Sequence, residues 1–205
     1  MLAVIVGKEP RQERFLVHEG IFSARSEFFR RAMNGNWAER DERLIELPED
    51  DPEVFSMYVN FVYTNNIATG PNENPVSVEW CDEEYMLLSE LFVLCEKLCD
   101  IGGKNAVIRA ILAVSHEVTD KHCCFNPFEA AITIMYSGTP KSSLGRKLMA
   151  DMWTCKSVDY LSRHGDELPK DFLLDLAIAR HNNCSHPHKN AAEHAGPDAY
   201  LEGIK

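Results

Sequence analysis

Histidine and cysteine side chains cluster near the end of the 205-residue chain, where they could hold a metal ion. Imidazole and thiolate are ligands that zinc and copper accept. Structural zinc sites usually combine paired cysteines with further ligands, and this segment has a single cysteine. Metal binding is therefore the more remote hypothesis, and a polar tail without metal is the alternative. The four candidate ligands are His181, Cys184, His186 and His188.

Catalytic chemistry has little support in the sequence. No phosphate-binding glycine loop, dinucleotide fingerprint, H-E-x-x-H or G-x-S-x-G motif occurs. His122, Cys123 and Cys124 place a base beside two nucleophiles, but adjacent residues of a chain rarely face each other. We therefore expect no enzymatic activity and no cofactor.

The charge balance excludes two classes of partner. The chain has 21 Lys and Arg against 32 Asp and Glu, which gives a formal net charge of −11. Nucleic-acid binding depends on cations that neutralise phosphates, and anionic membrane surfaces attract the same cations. We expect neither nucleic acid nor membrane as a partner.

Cysteine usage and the first residues indicate the compartment. Seven cysteines, an odd number without regular spacing, do not resemble a secreted disulfide framework. The apolar run that precedes Gly7 is too short for a signal-peptide core. The sequence predicts a cytoplasmic or nuclear protein.

Strand signals precede helix signals along the chain. Leu2 to Val6, Arg14 to His18 and Arg43 to Leu47 have the composition of short strands. Asp51 followed by Pro52 is typical of a helix start, and apolar residues recur at helical spacing from there to residue 62. Later segments carry only helical patterns, so we predict an α+β fold whose strands lie within residues 1 to 50.

His18 stands between an apolar run and Gly20, where it could be a ligand, a catalytic base or a structural residue. A single histidine in this setting is more often a hydrogen-bonded core group than a ligand. Because an imidazole titrates near neutral pH, a pH switch is a further alternative.

The sequence around His18 resembles the opening signature of the BTB/POZ domain family. Trp37 and Glu39 resemble the aromatic-x-Glu that often follows it, and Asn65 stands where the family usually has glycine. These motifs occur in family order over about 60 residues, and together they are specific. The matching residues are Phe15-x-Val17-His18-x-x-Ile21-Phe22-x-x-x-Ser26-x-x-Phe29, then Leu44 to Leu47, Asp51 to Phe55 and Phe61 to Thr64.

The resemblance implies a BTB/POZ-like fold, in which a small N-terminal sheet packs with a helical cluster and an all-α extension follows. It assigns residues 1–120 to the domain and residues 121–181 to a helical extension similar to that of fungal BTB proteins. Residues 182–205 form a polar, histidine-rich tail that we expect to be disordered or loosely attached. Structural roles fall to Phe15, His18, Ser26, Phe29, Asp51 and Phe55, with His18 buried.

The resemblance also implies the partners. Family members form homodimers through the first helix and the N-terminal strand, which maps here to Leu2–Val6 and to Ile21, Phe28, Arg31 and Ala32. Many family members are adaptors that bind cullin-3 and a substrate protein, and others are scaffold or transcriptional proteins that do not bind cullin. Cullin-3 contact maps to Tyr63 and Phe61.

An acidic stretch from Glu39 to Glu53 has two interpretations. It could bind a basic partner, or it could be a solvated connection in which Asp51 and Glu53 serve the following helix. The sequence favours the second interpretation.

Overall fold

The computed structural model describes residues 1–34, 42–67, 77–116, 126–183 and 190–203. Its strands are β1 (Leu2–Val6), β2 (Glu13–Val17) and β3 (Leu44–Leu47). Short 3₁₀ turns lie at Gly165–Glu167 and Pro197–Tyr200, among the last helices. The helices are α1 (Glu19–Arg25), α2 (Glu27–Asn34), α3 (Pro52–Thr64), α4 (Val78–Lys97), α5 (Ile101–Ser115), α6 (Glu129–Gly138), α7 (Leu144–Met152), α8 (Val158–His164), α9 (Lys170–Asn182) and α10 (Ala191–Ala195).

The three strands form one sheet in the order β2-β1-β3. β1 pairs antiparallel with β2 and parallel with β3. Alternate side chains of β1 point into the core, where Leu2, Val4 and Val6 are fully buried. In the part of the chain that the structure describes, every strand lies before residue 50, so the predicted α+β organisation is confirmed.

The first helical stretch is two helices rather than one. Ser26 separates them: its hydroxyl donates to the carbonyl of Leu98 at 2.6 Å and accepts from the backbone N–H of Phe29 at 3.2 Å. This buried serine therefore caps α2 and ties it to the end of α4.

Helix α3 begins as the sequence predicts. The Asp51 carboxylate accepts the backbone N–H of Glu53 at 2.8 Å, and Pro52 occupies the first turn. The helix packs its buried face, which includes Phe55 and Tyr58, against the core. Phe15 is only half-buried, and its ring packs edge-on against Phe55 at 4.9 Å.

Helix α4 connects the first part of the chain with the later helices, because it packs against α3, α5 and α6. At the crossing of α4 and α6, a Cβ on Gly138 would lie 2.4 Å from a methyl of Val93. Only glycine allows the two helices to approach this closely. One hydrophobic cluster therefore runs from β1 to the end of the described chain.

The expectation of a disordered or loosely attached tail is wrong for residues 190–203. Tyr200 is 1% exposed and donates its hydroxyl proton to Asp151 at 2.9 Å. The Glu202 carboxylate accepts from Lys104 Nζ at 2.7 Å. The backbone carbonyl and N–H of Glu202 form two hydrogen bonds with the side-chain amide of Asn105. Composition alone predicted disorder, but one buried aromatic ring and these polar contacts order the segment against α5 and α7.

Among the described residues, no helix combines the length and apolar character that a membrane span requires. The domain boundary predicted near residue 120 falls in residues 117–125, outside the described residues, and it stays a prediction.

Candidate protein-interaction site

Tyr63 is held at the end of α3 by the residue that precedes α1. The backbone N–H of His18 donates to the Tyr63 hydroxyl at 3.0 Å, and the Nδ1 atom of His18 lies 2.8 Å from the same oxygen. The Tyr63 ring packs edge-on against Phe22 at 5.9 Å. With its oxygen anchored and 44% of the residue exposed, Tyr63 presents a fixed aromatic ring to solvent.

The observed position of His18 differs from the predicted one. The residue is hydrogen-bonded, as expected, but it is exposed rather than buried. The apolar run that suggested burial continues only through Val17, which is fully buried, while the chain turns outward at the start of α1. His18 therefore acts as a surface clamp on Tyr63.

A buried carboxylate fixes the neighbouring helices. Asp100 receives three hydrogen bonds: Arg25 Nε at 2.7 Å, the Tyr58 hydroxyl at 3.1 Å and the backbone N–H of Gly103 at 2.7 Å. Burial, followed by the nearby Asp100 carboxylate, raises the pKa of Tyr58, so its hydroxyl stays protonated and donates. Because Arg25 ends α1 and Asp100 begins α5, this cluster ties the first helix to the end of the domain.

The sequence analysis missed Asp100 and Arg25. An aspartate directly before a helical segment is a helix-capping signal, but the two glycines at 102 and 103 obscured it. A Cβ on Gly103 would lie 2.6 Å from the Cys95 sulfur, so this glycine permits a close approach of α5 to α4.

Phe61 does not lie on the surface. Its ring is 1% exposed, and the Arg25 guanidinium covers it at 4.1 Å from the ring centroid. An aromatic ring buried under a paired cation cannot contact another protein, so the prediction of Phe61 as a contact residue is wrong.

Asn65 retains the backbone conformation that glycine would provide at this position. It caps α3 in the left-handed region at φ 55° and ψ 24°, and its N–H donates to the Phe61 carbonyl at 2.8 Å. Asparagine is the residue that tolerates this conformation best after glycine. Its side-chain oxygen also accepts from Arg25 at 3.3 Å, so the end of α3 is fixed on both sides.

The four residues predicted for dimer contact lie on α1 and α2 and all keep exposed surface. Ile21 is 43% exposed, and the Arg31 side chain is 78% exposed. Phe28 is half-buried beside the fully buried Phe29, with 5.5 Å between the ring centroids. Ala32 is also half-buried. The structure thus brings these residues to one pair of consecutive helices, but it does not test the contact.

The resemblance implies that Leu2–Val6 pairs with a partner strand, but in this structure the strand has no free edge. β1 is the central strand of the sheet, and its backbone groups pair with β2 on one side and β3 on the other. A strand that is hydrogen-bonded along both edges cannot accept a third strand.

The predicted metal cluster cannot be assembled from the described residues. His181 is exposed near the end of α9, whereas Cys184, His186 and His188 lie outside the described residues, as do Trp37 and Glu39. Within the described ranges, no group of three or more candidate ligands lies close enough to share a metal ion.

An anchored, exposed aromatic ring such as Tyr63 is a feature that protein-protein interfaces often contain. The family profile of the BTB/POZ domain matches residues 2–101. Residues 2–101 are therefore a BTB/POZ domain, which is a protein-interaction domain.

A relative supports the same assignment. TD and POZ domain-containing protein 4 of Mus musculus is 32% identical over 104 residues, which make up 50% of this chain. The match spans 28% of the length of that mouse protein. The similarity thus covers about half of this chain and a little more than a quarter of the mouse protein.

Proposed function

We propose that this protein is a homodimeric adaptor that binds cullin-3 through the end of α3 and brings an unknown substrate protein to ubiquitin ligation. The observation that carries the proposal is the Tyr63 ring, which is 44% exposed and anchored through its hydroxyl to His18. An exposed aromatic that is already fixed in place loses little conformational freedom on binding. Interface hot spots are enriched in such residues.

The neighbouring residues support the same surface. Asn65 keeps the left-handed conformation at the end of α3, so the replacement of the usual glycine leaves the local backbone intact. Arg25 stabilises this end of α3, because it donates hydrogen bonds to Asp100 and to the Asn65 side chain. Binding to a rigid helix end avoids the loss of conformational entropy that ordering a flexible surface would require.

Homodimerisation rests on the helix pair α1 and α2. Ile21 and Phe28 offer apolar surface, and Arg31 offers a charged edge beside it. Family resemblance assigns these positions to the dimer contact, and their exposure is compatible with that role. Because β1 is central in its own sheet, the proposed dimer uses helix packing and not exchange of β1.

Calorimetric titration with the N-terminal region of cullin-3 tests the Tyr63 surface. Tyr63→Ala is expected to weaken binding by about 2 kcal/mol or more, the scale of an interface hot spot. Tyr63→Phe removes the bond to His18 but keeps the ring, and we expect an intermediate loss. Val158→Ala, at a 70% exposed position far along the chain, is the matched control.

Two results of this titration would contradict the proposed surface. Equal binding by wild type and Tyr63→Ala would show that cullin-3 docks elsewhere. Loss of binding together with loss of the folded state in Tyr63→Ala would show that Tyr63 is a core residue. Circular dichroism on the same samples separates the second result from a true interface effect.

A further inference from the structure

A second surface lies at the opposite end of α3. The start of α3, the middle of α4 and the end of α6 enclose a groove with a volume of about 250 Å³. Its floor is apolar, with Val54 and Leu94 at 5% and 3% exposure and with half-buried Val93 and Ile134. An open apolar groove of this size fits one or two branched side chains of a partner.

Carboxylates form the rim of the groove. Glu49, Asp50, Asp51 and Glu90 line it, and no lysine or arginine is among the described lining residues. Three of them have a cation nearby: Lys8 contacts Glu49, Lys97 contacts Asp50 at 2.5 Å, and Arg11 lies 3.3 Å from Asp51. Among the described residues, Glu90 has no such cation.

Glu90 is the uncompensated charge of the rim. It makes no ion pair with any described residue, and it lines the same groove as Asp51 of the neighbouring element. Partial burial, followed by repulsion from the Asp51 and Glu53 carboxylates, raises the pKa of Glu90. A cation placed at this position would relieve the repulsion, so the rim is electrostatically complementary to a basic side chain.

We propose that this groove binds a short segment of a partner protein in which branched apolar residues alternate with lysine or arginine. The apolar side chains would lie against Val93 and Ile134, and a cationic side chain would pair with Glu90. The groove lies on the seam between the BTB/POZ domain and the helices that follow it, because its walls come from α3, α4 and α6. It therefore depends on both parts of the chain.

This proposal goes beyond cullin-3 docking and does not depend on it. Asp51 and Tyr63 lie at opposite ends of α3, and twelve residues of helix separate them by about 18 Å at 1.5 Å per residue. Both surfaces could be occupied at once, as an adaptor requires.

Fluorescence anisotropy with a defined probe tests the groove. The probe is a fluorescein-labelled acetyl-Leu-Arg-Val-Lys-Leu-amide peptide, and the comparison peptide carries glutamate at both basic positions. We expect saturable binding of the basic peptide to the full chain and no binding of the acidic peptide. Added salt should weaken the binding of the basic peptide, because the rim is exposed.

Variants on α4 locate the binding site. Glu90→Lys is expected to weaken binding of the basic peptide about tenfold or more, and Glu90→Gln by a smaller factor. Glu83→Lys makes the same charge change at an exposed position of α4 outside the groove and should alter affinity less than about twofold. Tyr63→Ala should leave peptide binding unchanged, which separates this result from cullin-3 docking.

Three outcomes would overturn the proposal. The first is the absence of saturable binding of the basic peptide to the wild-type chain. The second is equal weakening by Glu90→Lys and Glu83→Lys, which would indicate a general attraction to an acidic protein. The third is equal binding of the acidic peptide, which would remove the role of the carboxylate rim.

Discussion

Arg25 and Asp100 form an ion pair at 2.7 Å in which the Asp100 side chain is 1% exposed. The pair joins the end of α1 to the start of α5, two elements that are far apart in sequence. The Arg25 side chain also packs over the Phe61 ring and donates a hydrogen bond to Asn65. This one side chain therefore contacts both residues that support the proposed cullin-3 surface at the end of α3. The geometry of that surface therefore depends on a residue that does not itself form it.

Breaking the ion pair is expected to cost much of the stability of the domain. Arg25→Ala leaves the Asp100 carboxylate buried without its cation, and we expect a loss of about 3–5 kcal/mol in the free energy of unfolding. Urea unfolding followed by circular dichroism measures it. Lys8→Ala, which breaks an exposed pair with Glu49, should cost much less than Arg25→Ala. Similar losses for the two variants would show that the pair is not structural.

Phe55 tests the aromatic core. Its ring is fully buried and lies between Phe15 and Tyr58. Truncation in Phe55→Ala removes these contacts and leaves a cavity, so we expect a loss of about 3–5 kcal/mol in the free energy of unfolding. Leu174→Ala, at a 61% exposed position, should change it by about 0.5 kcal/mol or less. An unchanged thermal midpoint in Phe55→Ala would contradict the core assignment.

Asp82 should make stability depend on pH between 4 and 7. Burial, followed by repulsion from Glu129 and Glu79, raises the pKa of Asp82 to about 6 from its ordinary value of 3.8. The folded state therefore binds this proton more tightly than the unfolded state does. The stabilisation is complete below the unfolded pKa and is lost as pH rises through about 6.

Asp82→Asn removes the charge and should remove this loss. We expect the variant to gain on the order of 1 kcal/mol at pH 7.5, discounted for the solvent exposure of the group, and to lose this advantage near pH 4. Asp159→Asn, which makes the same substitution at an exposed position of α8, is the matched control. A gain that is equal at both pH values would exclude titration of Asp82 as the cause.

If α1 and α2 form the dimer contact, a charged substitution in that contact should separate the protomers. A charge at Ile21 would be buried without a partner in the proposed contact, so Ile21→Asp should lower the dimeric fraction at micromolar concentration. Light scattering measures it, with Ile178→Asp on the exposed face of α9 as the matched control. A dimer that persists in Ile21→Asp but not in the control would place the contact on α9 instead.

Sequence patterns predicted the strands and helices correctly where neighbouring residues determine the local structure. The apolar, β-branched run of β1 and the Asp51-Pro52 helix start need only neighbouring residues, and both are confirmed. The division of α1 from α2 was missed, because Ser26 bonds to Leu98 across a long sequence separation. The same reason explains the ordered tail, where Tyr200 reaches Asp151 through a contact that composition cannot reveal.

The candidate site shows the same limit. Family resemblance assigned a contact to the region of Tyr63, but only the tertiary structure distinguishes the exposed Tyr63 from the buried Phe61 two residues away. His18 belongs to a strand pattern in the sequence and to a surface clamp in the fold. The acidic stretch before α3 suggested a basic partner as one interpretation, but it could not reveal the groove, because most of the apolar floor comes from α4 and α6.

Sedimentation velocity on the chain alone and mixed with the N-terminal region of cullin-3 tests the central claim most directly. The proposal predicts a particle of twice 23.3 kDa for the chain alone. It also predicts a heavier complex in the mixture, with one cullin-3 fragment for each chain. A 23.3 kDa particle for the chain alone would contradict homodimerisation. Unchanged sedimentation of both components in the mixture would contradict the cullin-3 adaptor function.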